Sequence, residues 1–304
     1  MTPDDFPASQ PVPIVARAGA LTVDLEEWYH NCWTAEYLDP ATRPILPEEL
    51  DRLLPDMLAF FAAVGARATF FVLGEVARRL PARVREIAAA GHEVACHGDL
   101  HLRANSRPAL EFAADIRRAR ALLEDLIGDQ VRGFRAPEWS LRSARNPLLR
   151  RVVEAGFAYD SSLAPWPGAG ERSNPVLPSR FRWPDGSELM EVPPLAFGGR
   201  LRLPAGGWTG RIGPTRLVMS AARDLARQGG LPLLVVHPWE LVDRDLPGLL
   251  TGFARFFHDA GRRGFRDRLA DRLRRWRWQP IRDHLAAPVA AAEPAPASCE
   301  RSVA

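Results

Sequence analysis

An α/β architecture, with βα units around a mainly parallel sheet, is what the sequence predicts. Two observations carry this. Short apolar runs alternate with longer segments whose apolar residues recur every three or four positions. Several of the apolar runs also stop abruptly at carboxylates, histidines or an arginine. Carboxyl ends of parallel strands are the usual working edge of such folds.

The elements follow in chain order. Residues 1–18 read as a loose, proline-rich lead-in, and Ala20–Val23 as the first strand. From Pro47 the pattern turns helical, with Leu50, Leu53, Leu54, Met57, Leu58 and Phe61 on one stripe. Ala68–Leu73 is a buried strand; Glu75–Ala90 is a helix interrupted near Pro81 and stopped by Gly91. Glu93–Cys96 is the next strand, and Pro108–Ile127 a long helix ended by Gly128. Pro147–Ala155 is helical, and the apolar run after Gly156 leads into Asp160. Residues 164–213 are irregular and rich in Gly, Pro and Trp, with one strand at Glu188–Val192. Pro214–Arg227 is a helix and Leu231–Val236 a strongly apolar strand. Residues 246–282 read as helical and arginine-rich, and the Ala/Pro-rich end as disordered. The domain reading is therefore a lead-in at 1–18, one catalytic domain at 19–284 and a tail at 285–304.

Composition narrows the function classes. An apolar share of 46% and a charged share of 25% are ordinary for a soluble globular enzyme. The net charge of +3 is too small to imply a nucleic-acid partner, and none is expected. Every basic residue is Arg. Cys32, Cys96 and Cys299 have neither metal-knuckle nor redox-pair spacing. The N-terminus has no apolar signal core and no window reaches membrane-span length, so cytoplasmic residence is expected.

The chemistry lies where the apolar runs end. His97 and His101 are four apart, which on a helical turn puts two imidazoles on one face, able to share a divalent ion. Asp24, Glu26 and Glu27 follow the first strand; such carboxylates are costly unless paired, solvated or bound to a cation. If the strand persists, Asp24 and Glu26 share a face; if the chain turns early, Glu27 takes the ligand role. Arg135 sits among apolar neighbours and can hold a buried carboxylate. Asp160 ends another run, and His237 ends LPLLVV, a position suited to acid–base work. Trp139, Trp166, Trp183 and Trp208 offer flat faces to sugar rings.

These motifs, TVDLEE (22–27), HGDLH (97–101), RAPEW (135–139), DSS (160–162) and LLVVH (233–237), resemble in order and spacing those of the polysaccharide deacetylase (NodB-homology) family. The resemblance spans roughly residues 18–262 and looks closest to the exopolysaccharide/exosortase-associated branch, on VDLEEW and HPWE. It implies an α/β fold of NodB-homology type, a distorted (β/α) barrel with about seven strands. It implies metal-dependent removal of acetyl groups from sugars. Carried over, His97, His101 and Glu26 (alternative: Glu27) are metal ligands, and Zn²⁺ is the expected ion. Asp24 is the base, Arg135 orients it, His237 is the acid and Asp160 tunes that histidine. Trp139, Trp166 and Trp239 are expected against substrate. Gly98 stands where the family has Ser or Thr, which predicts a looser turn. The expected substrate is an N-acetylhexosamine unit in a polysaccharide or a lipid-linked saccharide. The basic C-terminal helix is then expected to make peripheral contact with the inner face of the membrane. Two alternatives stand beside this: an amidohydrolase of the same superfamily acting on a cyclic or small-molecule amide, and a catalytically idle carbohydrate-binding relative.

Overall fold

The computed structural model describes residues 6–14, 17–30, 49–197, 202–242 and 252–285. Its spine is a run of parallel strands, most of them buried along their whole length, as apolar runs without alternation require. β1 is Ala8–Pro11 and β2 Gly19–Leu25; α1 (Leu50–Ala63) leads to β3 (Thr69–Val72). Helices α2 (Gly74–Arg79) and α3 (Pro81–Ala89) lead to β4 (Glu93–Cys96), and α4 (Ala109–Ile127) to β5 (Gly133–Phe134). Then come α5 (Leu148–Glu154), β6 (Tyr159–Asp160), β7 (Ser179–Arg182) and β8 (Glu188–Glu191). A small pair, β9 (Ala196–Phe197) and β10 (Leu203–Pro204), precedes α6 (Gly207–Ile212), α7 (Thr215–Arg227) and β11 (Leu233–Val236). The chain closes with α8 (Gly252–Asp259), α9 (Phe265–Arg274), β12 (Trp278–Gln279) and α10 (Ile281–Leu285).

Strands neighbour in the order β1-β7-β8-β6-β5-β4-β3-β2-β11, with β12 also on β2. From β8 to β11 every pairing in that path is parallel; β7 and β1 are added antiparallel at one edge. One backbone hydrogen bond, Leu195 N–H to the Leu233 carbonyl at 3.1 Å, reaches from the run beyond β8 across to β11. Helices pack on the outside through the stripes read above: α1 buries Leu50, Leu53, Leu54, Met57, Phe60 and Phe61, and α7 buries Val218, Met219, Ala222 and Leu225. The break at Pro81 separates α2 from α3, because a proline there supplies no N–H to continue the first helix.

Two expectations change. Part of the loose lead-in is a strand: Ala8–Pro11 pairs with Arg182–Ser179. Its sequence, ASQP, is short, exposed and contains proline, so nothing in its own pattern marks it. The arginine-rich α9 is only in part a solvated basic face: Arg266 and Arg274 are exposed, while others turn inward. Arg272 is 2% exposed and donates to the carbonyls of Gly210 and Gly213; Arg268 donates to those of Arg211 and Gly261; Arg275 pairs with Asp271. The Arg272 and Arg268 guanidiniums satisfy loop and helix-end carbonyls that would otherwise lack a partner. No helix among the described residues is long and apolar enough to cross a membrane.

A buried histidine makes stability pH-dependent. His92 packs against Phe61 and Phe70, and its Nδ1 accepts the Ala68 N–H at 3.0 Å, which requires the neutral ring. Burial, with the charges of Arg67 and Arg282, pushes its pKa down to about 4. Unfolded, it titrates near 6.5. Between those values the unfolded chain binds a proton that the folded one refuses. The His92 contribution is therefore whole above pH 6.5 and is lost as pH falls toward 4. Urea midpoints at pH 7 and pH 4.5 should fall more steeply for the wild type than for His92→Gln, by up to about 2–3 kcal/mol.

Candidate metal centre and cleft

The parallel strands deliver the polar motifs to one edge. β2 ends with Asp24 and Leu25, and the next residue, Glu26, turns back through its N–H to the Asp24 carbonyl at 3.0 Å. β4 ends at Cys96, with His97 next. Glu26 Oε2 lies 2.7 Å from His101 Nε2 and 3.8 Å from His97 Nε2, and the ligand atoms of all three fall within 4.8 Å of one another. His97 Nδ1 is 2.8 Å from the Arg135 carbonyl, so that nitrogen donates and Nε2 keeps its lone pair toward Glu26. Two imidazole nitrogens and one carboxylate oxygen, converging at the strand ends, fit a divalent cation. Burial pushes the Glu26 carboxyl up, but the charge and hydrogen bond of His101, with His97 and His237, hold it well below its usual range.

The two histidines are not on a helix. Residues 97–101 form a loop in which Gly98 has φ +87° and His101 φ +50°. Gly98 does not loosen it. The Gly74 N–H donates to the Gly98 carbonyl, the Glu75 N–H to the Asp99 carbonyl, and the Asp99 N–H to Asp115, each at 2.9 Å. Asp99 itself pairs with Arg78 at 2.6 Å. The left-handed conformation at 98 suits glycine, and a Cβ there would come within 3.4 Å of Asp115. His101 is backed by the His30 ring, stacked at 5.3 Å.

Glu27 is committed elsewhere. Its carboxylate accepts the N–H groups of Glu49 and Leu50 at the start of α1, and Arg79 at 2.8 Å. A carboxylate there complements the helix N-terminus. Glu26, not Glu27, faces the histidines.

Arg135 is fully buried. Its Nη1 donates to Asp24 Oδ1 at 2.6 Å and to Thr22 Oγ1 at 3.0 Å, and Nε and Nη2 donate to Ser161. Phe71 and Trp139 lie at 4.1 and 4.9 Å from the guanidinium carbon. His237 brings Nε2 to 3.9 Å from Asp24 Oδ2 and 3.7 Å from Glu26 Oε1. Its partner differs from the expected one. Asp160 accepts Ser162 Oγ–H at 2.6 Å and faces Glu191, not His237. Burial raises both carboxyls, and the Asp160 charge lifts Glu191 further, so Glu191 holds the proton of that pair. The carboxylate on His237 Nδ1 is Glu240, at 3.3 Å. Burial pushes the His237 pKa down, but the charges of Glu240, Glu26 and Asp24 bring it up to about 9.

Around these groups lies a cleft of about 600 Å³. Asp24, Glu26, His97, His101, His237 and Glu240 line it, with Trp139, Trp239, Arg103, Arg142 and Arg211 among its walls. Trp139 faces the cleft directly. Trp166 touches it through Trp139, ring to ring at 6.3 Å. Trp239 is 5% exposed, so it forms floor more than platform. Trp183 is likewise buried, beside Arg150, and the Trp208 side chain lies outside the described residues. Among the described residues, five non-glycine residues have positive φ, and four of them, His101, Glu138, Trp139 and Arg142, line this cleft. Such strain concentrates at functional sites.

Residues 47–158 match the family Polysaccharide deacetylase. That segment, a little over a third of the chain, is similar to this family. Residues 161–286 match a second family, described as Domain of unknown function (DUF3473). The chain is 31% identical over 110 residues to the Peptidoglycan deacetylase of Helicobacter pylori, covering 36% of each chain. It is 30% identical over 92 residues to the Peptidoglycan-N-acetylglucosamine deacetylase of Bacillus cereus, covering 30% of this chain and 34% of that one. It thus spans about a third of the length of these curated relatives. A crystal structure described as a polysaccharide deacetylase from Mycobacterium smegmatis superposes with a TM-score of 0.57 at 22% identity, over 95% of this chain and 99% of that one. That likeness shows the same α/β fold. Glu240, Arg211 and Arg142 are cleft residues to which the sequence had drawn no role. Glu240 alone carried a signal, as a carboxylate three residues past His237.

Proposed function

We propose that this protein hydrolyses the acetamido group of an N-acetylhexosamine unit in a polysaccharide or lipid-linked saccharide. The reading rests on one observation: the Glu26, His97 and His101 cluster shares a cleft with a carboxylate held by a buried arginine and a histidine held by a second carboxylate. The relatives named above as peptidoglycan deacetylases support the reaction type.

Glu26, His97 and His101 are the residues that hold the ion, which we take to be zinc. When bound, it supplies a Lewis acid for the acetyl oxygen. The remaining chemistry belongs to the chain. Asp24, kept in place by Arg135 and Thr22, takes a proton from the water that attacks the acetyl carbon. The amide nitrogen leaves only if protonated, and His237 Nε2 delivers that proton as the C–N bond breaks. Acetate and a free amino sugar result. Trp139 gives the sugar ring an apolar face at the cleft wall. We place this reaction in the cytoplasm, at the inner face of the membrane if the saccharide is lipid-linked.

The test is acetate release from N-acetylglucosamine oligomers and lipid-linked N-acetylhexosamines. Chelated protein should release at least about 10²-fold less acetate than protein reloaded with zinc. Zinc binding without acetate from any of these saccharides would point to a cyclic or small-molecule amide. Sugar binding with no hydrolysis of any amide would point to an idle binder.

A further inference from the structure

The turn that carries Trp139 also carries a cation with no acid of its own. The Arg142 N–H donates to the Trp139 carbonyl at 3.0 Å, so the two residues share one turn at the cleft wall. Both have positive φ, +57° and +60°, a region that bulky side chains seldom adopt. Asn174, 1% exposed, clamps the turn from behind. Its Nδ2 donates to the carbonyls of Arg142 at 2.8 Å and Ala164 at 2.9 Å, and its Oδ1 accepts the Ala144 N–H at 3.1 Å. The exposed Arg142 guanidinium makes one bond, from Nη1 to the Gly168 carbonyl at 3.0 Å.

The cleft offers this guanidinium no counter-charge. Asp24 lies 2.6 Å from Arg135, Glu26 faces His97 and His101, Glu138 pairs with Arg103, and Glu240 lies 3.0 Å from Arg211. Among the described residues no carboxylate pairs with Arg142. An ordinary surface arginine gains nothing from a strained turn fixed by a buried amide. A guanidinium that must meet a ligand at one place does, because its fork is oriented before the ligand arrives. We infer that Arg142 is a specificity residue: it receives an anionic group, carboxylate or phosphate, on the sugar that rests against Trp139 or on the next sugar. Two parallel N–H bonds from a guanidinium match either anion, and Nε and Nη2, the edge that makes such a pair, have no protein partner. Gly168 and Asn174 lie in residues 161–286, so the part matched to a family without a described function sets where Arg142 points. The inference rests on the proposed hydrolysis and narrows its substrate to a charged saccharide.

The test compares three saccharides of equal length with the full-length, zinc-loaded protein. One is a neutral N-acetylglucosamine tetramer, one alternates N-acetylglucosamine with glucuronate, and one is the neutral tetramer carrying a terminal phosphate. The wild type should favour at least one charged saccharide over the neutral one by about 10-fold in kcat/KM, through KM. Which one it favours separates a sugar carboxylate from a phosphate. In Arg142→Gln the charged-to-neutral ratio should fall to near one, and Arg142→Lys, a point charge without the fork, should keep part of it. Raising the salt to about 0.5 M should narrow the wild-type ratio. A wild-type ratio near one for both anions, or a ratio unchanged in Arg142→Gln, would overturn the inference. Direct binding of the same three saccharides is measured by calorimetry alongside. If no acetate is released but binding shows the same Arg142-dependent preference, the hydrolysis reading fails and the specificity stands. Binding of none of the three overturns both.

Discussion

A variant with alanine at both His97 and His101 should keep its fold, bind no zinc above background, and release acetate at least about 10³-fold more slowly than the wild type. The two imidazoles supply two of three convergent ligand atoms, and a single buried carboxylate does not hold a divalent ion in competition with water. Losing a Lewis acid that contributes about 4 kcal/mol to the transition state corresponds to that factor. The fold should tolerate the change because both residues lie in a loop beyond β4 whose backbone is fixed by other bonds, from Gly74, Glu75 and Asp115. Metal analysis, acetate assay and thermal melting on one preparation read all three. Wild-type zinc content in the double variant would remove this cluster as the metal site.

Asp24→Asn should lower kcat by about 10²–10⁴-fold, with zinc still bound. The amide keeps an oxygen for Arg135 but no longer takes up a proton. Stability should fall as well, by about 3 kcal/mol, because the Arg135 guanidinium is fully buried and loses its closest anion. The cost is bounded because Arg135 also donates to Thr22 and Ser161. Acetate release and urea unfolding measured side by side separate the two effects. A variant as active as the wild type would take the base role away from Asp24.

The alternation of apolar runs with helical stripes was legible because burial leaves a direct mark on residue type. Strands β2, β3, β4 and β11 and helices α1, α4 and α7 lie where their patterns put them. The chemistry at the strand ends was legible for the same reason: a carboxylate or histidine after a buried run needs an explanation in any fold. β1 and β12 were not legible, being four and two residues long and paired with strands distant in the chain.

Which residues could do chemistry was therefore determined by the sequence alone, through His97, His101, Asp24, Glu26, Arg135 and His237 at the ends of apolar runs. Which partners they keep was decided by the tertiary structure. Glu27 and Glu26 are adjacent and chemically alike, yet one is spent on the first turn of α1 and the other faces two imidazoles. Asp160 was expected beside His237, and Glu240 stands there instead, held by an arginine twenty-nine positions earlier in the chain. Hydrogen bonds and ion pairs act over a few ångströms and ignore sequence separation, so only the packed chain selects among like residues.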